Sequence, residues 1–394
     1  MTETSAARLD PPVVGLIVNP IAGLGGRVGL KGTDGPDIVE RAIALGAQPE
    51  AGTRAAVAIG RVVEAWHGVR PVRFLVGAGP MGETSAIDAG IEAEVIGGAI
   101  AATGDALVAT SAADTRRLAR HLAAFPVDLL LVAGGDGTAR DVARTVGLRL
   151  AVLGIPAGVK IQSATFATSP RAAGELAAAF LASSHRRTEE REVLDLDERA
   201  YRRGEVAPRL HGHLRVPAGP TVQGRKSPAI PDDAFAAEAI AADVVGAMLP
   251  GRRYVLGPGT TVRAIAERLG LPKTLVGIDV VEISAGGPRL VSADVGEREL
   301  VDLLAEGPAT IIVTPVGGQG SLLGRGNQPL SARVLRAAGR DPLLVVATPR
   351  KLAALGGRPL LVDTGDPELD RALEGHVRVI TGARDVAIVP ISAA

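Results

Sequence analysis

The apolar positions of this chain fall into two textures. As far as about residue 183 they come as short unbroken runs separated by stretches of helical periodicity, and beyond that point strictly alternating segments intervene. The unbroken runs at 13–18, 72–76, 129–132 and 150–153 show no alternation, as expected of strands buried on both faces of a parallel sheet. Between them, helical spacing covers 37–45, 54–66, 110–124 with Ser111 as N-cap, 138–146 closed by Gly147, and 170–183. Residues 191–197 and 210–216 alternate, which predicts antiparallel strands. Further on, a helix is expected over 233–248. After it come strands near 254–256, 275–280, 309–313, 343–347 and 386–389, with glycine turns and helices between. The pattern therefore predicts an α/β protein in two parts. A tail (1–11) precedes an N-terminal nucleotide-binding α/β domain with a parallel sheet (12–185). A C-terminal region (186–394) of antiparallel strands plus a further α/β part completes the cleft.

The chain is organised around residues 128–141, where the run ending in Val132 and Ala133 gives way to Gly134-Gly135-Asp136-Gly137-Thr138 and then to a helix. Glycines here are expected to take positive φ and to let backbone approach a ligand. A strand end feeding a helix N-terminus presents free N–H groups and the positive end of the helix dipole, a site for phosphate. An aspartate beside such a cradle reads either as an ordinary turn or cap residue or as a general base handling a Mg-nucleotide.

Other stretches carry related chemistry. The first strand ends in Asn19-Pro20, and the loop that follows holds Gly23, Gly25, Gly26, Arg27, Lys31, Thr33 and Asp34. It leaves the C-terminal end of a buried strand, where ligands sit in open α/β sheets. Residues 77–82 form a G-x-G-x-x-G with Glu94 downstream, a formal dinucleotide fingerprint. It follows the second strand rather than the first, and Pro80 removes an N–H from the turn. After the 150–153 run, Lys160 stands two residues past Gly158, placed to neutralise a phosphate. His211 and His213, two apart on a strand, are a metal pair or simply solvent-facing. Three more glycine turns, at 257–261, 315–320 and 324–328, suggest that both halves line one cleft.

Composition narrows the partners. Hydrophobic residues make up 46% of 394 but aromatics only 2%, so the cores must be aliphatic and no base-stacking platform is expected. Lys+Arg and Asp+Glu are both 43, a net charge of zero, which gives no polyanion-binding surface. No nucleic-acid partner is expected. Cysteine is absent, which removes disulfides, thiolate metal sites and a cysteine nucleophile. No apolar run is long enough to span a membrane, so a cytoplasmic protein without a membrane partner is expected. Lysine occurs only at Lys31, Lys160, Lys226, Lys273 and Lys351, so where it persists its compact ammonium is expected to matter.

The five-residue Gly134–Thr138 sequence resembles the GGDGT signature shared by NAD kinases and diacylglycerol-type lipid kinases. Asn19-Pro20-Ile21-Ala22-Gly23 resembles the Asn-Pro-x-x-Gly opening of the same superfamily. The longer loop through Gly35, with Gly317-Gly318-Gln319-Gly320 and Gly324-Arg325-Gly326-Asn327, is similar to the ATP-NAD kinase-like branch that includes the acetoin-operon protein AcoX. Lipid kinases have a different segment at 158–162, which argues against a lipid acceptor. The resemblance covers roughly 13–391. It implies an NAD-kinase-like three-layer α/β domain and transfer of the γ-phosphoryl group of ATP to a ribose hydroxyl of NAD, with Mg2+ bound through nucleotide phosphates. Asp136 would take the hydroxyl proton or hold the metal-bound nucleotide, and Lys160 or Lys31 would offset charge. Asn19, Gly23, Gly25, Gly26, Lys31, Thr33, Asp34, Gly134, Gly135, Gly137, Thr138, Gly158, Gly318 and Gln319 would contact nucleotide. Small-molecule nucleotides are the partners so implied, in a homo-oligomer. A nicotinamide oxidoreductase using residues 77–82 and a non-catalytic NAD-binding module are the alternatives.

Overall fold

The computed structural model describes residues 10–32, 35–97, 110–159, 161–196, 208–219, 221–222 and 231–394. Its first half is built on a five-stranded sheet of β1 (Val13–Val18), β2 (Arg73–Gly77), β3 (Ala93–Ile96), β4 (Leu129–Gly134) and β5 (Val152–Pro156). The strand order is β3-β2-β1-β4-β5, and every pairing is parallel. β1, β4 and β5 are buried along their whole length, as their unbroken apolar runs require. Helices α2 (Ala51–Ala65) and α6 (Pro170–Ala182) pack together on one face, and α4 (Ala112–Leu122) and α5 (Asp136–Val146) on the other. This is the three-layer arrangement. Ser111 caps α4 through a reciprocal capping box with Asp114. Two short helices, α1 (Pro36–Ala44) and α3 (Glu83–Asp88), fill the connections.

The core of this half is aliphatic, with Phe74 and Phe166 as its large fully buried rings. An antiparallel ribbon of β6 (Thr188–Leu196) and β7 (Pro208–Pro217) follows, confirming the alternation of the sequence. Its Val193, Leu214 and Val216 join the core of the N-terminal sheet, and the ribbon lies against α5.

A second, mixed sheet occupies the C-terminal half, in the order β10-β9-β8-β11-β12-β14-β15-β13. β8 (Arg252–Leu256), β11 (Ala309–Val313), β12 (Leu343–Val346) and β14 (Gly375–Gly382) run parallel, β9 (Asp279–Ser284) and β10 (Gly287–Ser292) run against their neighbours, and β15 (Asp385–Ala393) runs against β14. β13 (Leu360–Val362) pairs at the far edge with β15. Two expectations need correction. The strand placed at 275–280 begins at Asp279, because Lys273 donates to the carbonyls of Thr274 and Gly277, and Asp279 accepts the Thr274 N–H. Those bonds fold residues 274–277 into a turn. The hairpin β9–β10 has no counterpart in the sequence reading, since β10 is short, part-exposed and without alternation.

Candidate active site

In the N-terminal sheet the strand order reverses between β1 and β4, and the loops leaving these strands open a crevice at their C-terminal ends. A cleft of about 240 Å³ lies there. Asn19 leaves β1 and ties the two strand ends together. Its backbone N–H donates to the Ala133 carbonyl at 2.9 Å, and its Nδ2 donates to Thr138 Oγ1 at 2.9 Å. Thr138 thereby lies over Gly134, where a Cβ would come within 2.5 Å of its Oγ1. The glycine is required by close approach and not by conformation. None of Gly134, Gly135 and Gly137 takes positive φ, contrary to expectation, and Gly135 is extended at φ −124° and ψ −166°. The turn needs no left-handed residue because β4 runs straight into α5 through that extended glycine. The left-handed position is Gly23, at φ 79°, where a Cβ would sit 2.0 Å from the Ala157 carbonyl oxygen. This contact brings the 19–32 loop down onto the segment after β5.

Asp136 is the first residue of α5, yet makes no cap bond to its own helix, whose N-cap is Gly135. Its carboxylate turns to the segment after β5, where Oδ2 accepts the Gln162 N–H at 2.7 Å and Oδ1 the Ser163 N–H at 3.0 Å. The residue is 4% exposed and lines the cleft. Burial pushes its proton affinity up, to a pKa of about 7, against the opposing pull of the Ser163 and Gln162 bonds and with a smaller push from Asp195. A turn-cap role is thus excluded for its side chain. Instead a buried carboxylate with its pKa pushed up faces the crevice.

Of the residues expected to contact nucleotide, Asn19, Gly23, Lys31, Gly135, Asp136, Gly137, Thr138 and Gly158 line the cleft. Thr33, Asp34 and Lys160 lie outside the described residues. Gly25 and Gly26 sit within the loop, and Gly134 beneath Thr138. Gly318 and Gln319 belong to the C-terminal half. There Gln319, 4% exposed, donates its amide to the Ile161 carbonyl at 3.2 Å. Lys31 bridges the halves at the rim by pairing with Asp294 at 2.5 Å.

The sequence reading missed a charged wall. Asp141 and Asp195 both line the cleft and are nearly buried, with Asp141 bonded to Arg116 at 2.9 Å and Asp195 to Arg140 at 2.5 Å. The buried Arg140 Nε has no hydrogen-bond partner among the described residues. Asp141 and Arg140 follow Thr138 on α5, so helical spacing put them in view. Asp195 arrives from β6, a long-range contact that local patterning could not supply. Among the described residues no group of three or more His, Cys, Asp or Glu suited to a metal occurs at His211 and His213 or elsewhere. His211 lies 3.5 Å from Arg144 instead. At the G-x-G-x-x-G turn, the Gly79 N–H is held by its own Glu83 carboxylate at 2.7 Å.

A parallel sheet with its crevice at the reversal point, a glycine turn into a helix N-terminus and a buried aspartate define a nucleotide-handling α/β protein. The chain belongs to an NAD kinase-like family. The ATP-NAD kinase N-terminal domain model matches residues 14–185, and the ATP-NAD kinase C-terminal domain model matches residues 249–391. These matches support an NAD kinase-type function. No curated protein and no solved structure matches the chain. Among the described residues no helix is long and apolar enough to cross a membrane.

Proposed function

We propose that the protein transfers the γ-phosphoryl group of ATP to a ribose hydroxyl of NAD, with Asp136 as the base that receives the hydroxyl proton. The observation that carries this reading is the Asp136 carboxylate, buried at the strand reversal with a pKa near 7 and open to the cleft. Phosphoryl transfer asks a protein mainly for positioning and charge neutralisation. The N-terminal N–H groups of α5 at Gly137 and Thr138 suit donor phosphates, Asn19 fixes their geometry through Thr138, and Lys160 is assigned the positive charge, with Lys31 contributing only where phosphate displaces its Asp294 partner. Asp141 and Asp195 are already engaged by Arg116 and Arg140, so the divalent cation is assigned to the nucleotide phosphates, whose charge it offsets when bound. The Gly317–Gly320 and Gly324–Asn327 sequences favour the AcoX-like branch of the family.

The oxidoreductase alternative loses support at Gly79, because the N–H that a pyrophosphate would need is taken by Glu83. Incubation with ATP, Mg2+ and NAD tests the reading. The expected product is heavier than NAD by one phosphoryl group and serves an NADP-specific dehydrogenase. Binding of NAD without ATP turnover would identify a non-catalytic module, and hydride transfer without phosphorylation an oxidoreductase.

A further inference from the structure

The segment from Ala157 to Ser169 is held from two sides. On its inner side the amides of Gln162 and Ser163 bind Asp136, and Ser163 Oγ exchanges hydrogen bonds with the backbone of Leu194. On its outer side, donors from one loop of the C-terminal half grip its carbonyls. Gly326 N–H and Gln328 Nε2 both donate to Val159, at 3.2 and 2.9 Å, and Arg325 Nη2 donates to Thr168 at 2.8 Å. Gln319 Nε2 donates to Ile161. The loop is itself shaped by Asn327, 4% exposed, which accepts the Gly324 N–H and donates to the Leu322 carbonyl.

One of these bonds differs from the rest. The Ile161 carbonyl and the Gln162 N–H belong to the same peptide unit, so Gln319 grips one end of the plane whose other end binds Asp136 Oδ2. We propose that Gln319 is a positioning residue for Asp136, acting through the 161–162 peptide so that the C-terminal half orients and polarises the donor to that carboxylate. A hydrogen bond accepted by a carbonyl strengthens the N–H of the same amide, and the peptide plane cannot tilt while both ends are held. Gln328 grips the Val159 carbonyl instead, which lies outside the 161–162 and 162–163 peptides whose N–H groups bind Asp136, so it steadies the segment without holding a donor to the carboxylate. Among the described residues, the charged groups that share the cleft with Asp136 are Asp195 on β6, Asp141 and Arg140 on α5 and Lys31 in the loop after β1, with Arg116 of α4 paired to Asp141 and Arg325 reaching from the C-terminal loop. None of them is altered by substituting Gln319.

The coupling itself does not depend on the function proposed above, although its importance for catalysis does. The test is a carboxyl-carbon NMR titration of aspartate-labelled protein, with the Asp136 resonance identified by its loss in Asp136→Asn. In Gln319→Met the Asp136 midpoint should rise by roughly 0.5 to 1 pH unit, the direction expected when a donor to the charged form is weakened. In Gln328→Met, a comparable loss at the same interface, the midpoint should stay. Gln319→Asn keeps an amide but withdraws it by one methylene, and should shift the midpoint as Gln319→Met does; it serves if the methionine variant does not fold. An unmoved midpoint in the Gln319 variants, or an equal shift in Gln328→Met, overturns the proposal. A shifted midpoint with an unshifted pH–rate profile would uphold the coupling and remove Asp136 from the rate-determining chemistry.

Discussion

At the scale of single residues, Asp136 concentrates the argument. Asp136→Asn keeps volume and removes charge, and turnover of ATP with NAD should fall roughly 10²- to 10⁴-fold if the carboxylate is the general base. The wild-type rate should rise with pH through the titration of Asp136, near pH 7, and that limb should vanish in the variant. Stability moves the other way. The folded-state pKa is about 7 against an ordinary 3.8, so the folded protein holds a proton that the unfolded chain has released. Stability from this group is therefore greatest below pH 3.8 and declines as pH rises to about 7. The penalty above pH 7 is at most about 4 kcal/mol at 1.36 kcal/mol per pH unit. Asp136→Asn loses one of the two backbone bonds, since its amide nitrogen cannot accept an N–H, so the test is the pH dependence: its melting temperature should lack the fall between pH 4 and pH 8 that this group gives the wild type. A variant equal to wild type in both turnover and pH-dependent stability would show that the carboxylate neither titrates near neutrality nor reacts. The motif identified this residue from sequence, but its partners could not be read there, because Gln162, Ser163 and Asp195 reach it from 26 to 59 positions away. Lys273 is retained because its ammonium donates to two carbonyls and the buried Asp279 at once, a compact geometry that guanidinium would not fit.

At the scale of elements, β1, β2, β4 and β5 of the first sheet were legible because burial leaves an unbroken apolar run. β1 coincides with its expected span, and α5 begins two residues before the expected Thr138 because the extended Gly135 serves as N-cap. Illegible elements were those whose definition lies in a partner. β3 has four residues and exposed positions, β10 exists only by pairing with β9, and the turn before β9 is drawn by Lys273 and Asp279. The two glycine turns that competed in the sequence now separate on physical grounds. Gly135 faces the cleft, whereas the 77–82 turn is closed on itself by Glu83 and by a bridge between Gly77 and Gly82. Gly135→Val should abolish phosphorylation and ATP binding on folded protein, since a branched side chain occupies phosphate space. Gly79→Val should act on stability instead, because φ of 52° opposes a β-branched residue there. Calorimetric titration with ATP and NAD alongside thermal unfolding distinguishes the two. Loss of NAD binding only in the Gly79 variant would restore the dinucleotide fingerprint.

At the scale of the whole molecule, the site depends on contacts that no local pattern announces, because the C-terminal half holds the segment that holds Asp136. Beside the Gln319 loop stands a second link. Arg54, near the start of α2, donates to the Pro156 carbonyl at the end of β5 and pairs with Asp363 of the C-terminal half at 2.7 Å. Its guanidinium thus anchors the same β5 exit from which the 157–169 segment departs. The nearby Arg325 has its proton affinity lowered by burial to a pKa of about 10, countered by Asp363, so this carboxylate serves two cations. Asp363→Asn should therefore weaken the junction twice, leaving Arg54 without its ion pair and Arg325 less compensated. The pair is partly solvated, with side-chain exposures of 16% and 23%, so the expected loss is about 1–3 kcal/mol rather than that of a fully buried pair. Because the loss falls between the halves, the denaturant transition should broaden or split relative to wild type. Turnover should drop even at temperatures where both halves remain folded, through the looser seat of the 157–169 segment. Unchanged turnover with lowered stability would mean that the halves adhere through Arg54 without governing the site.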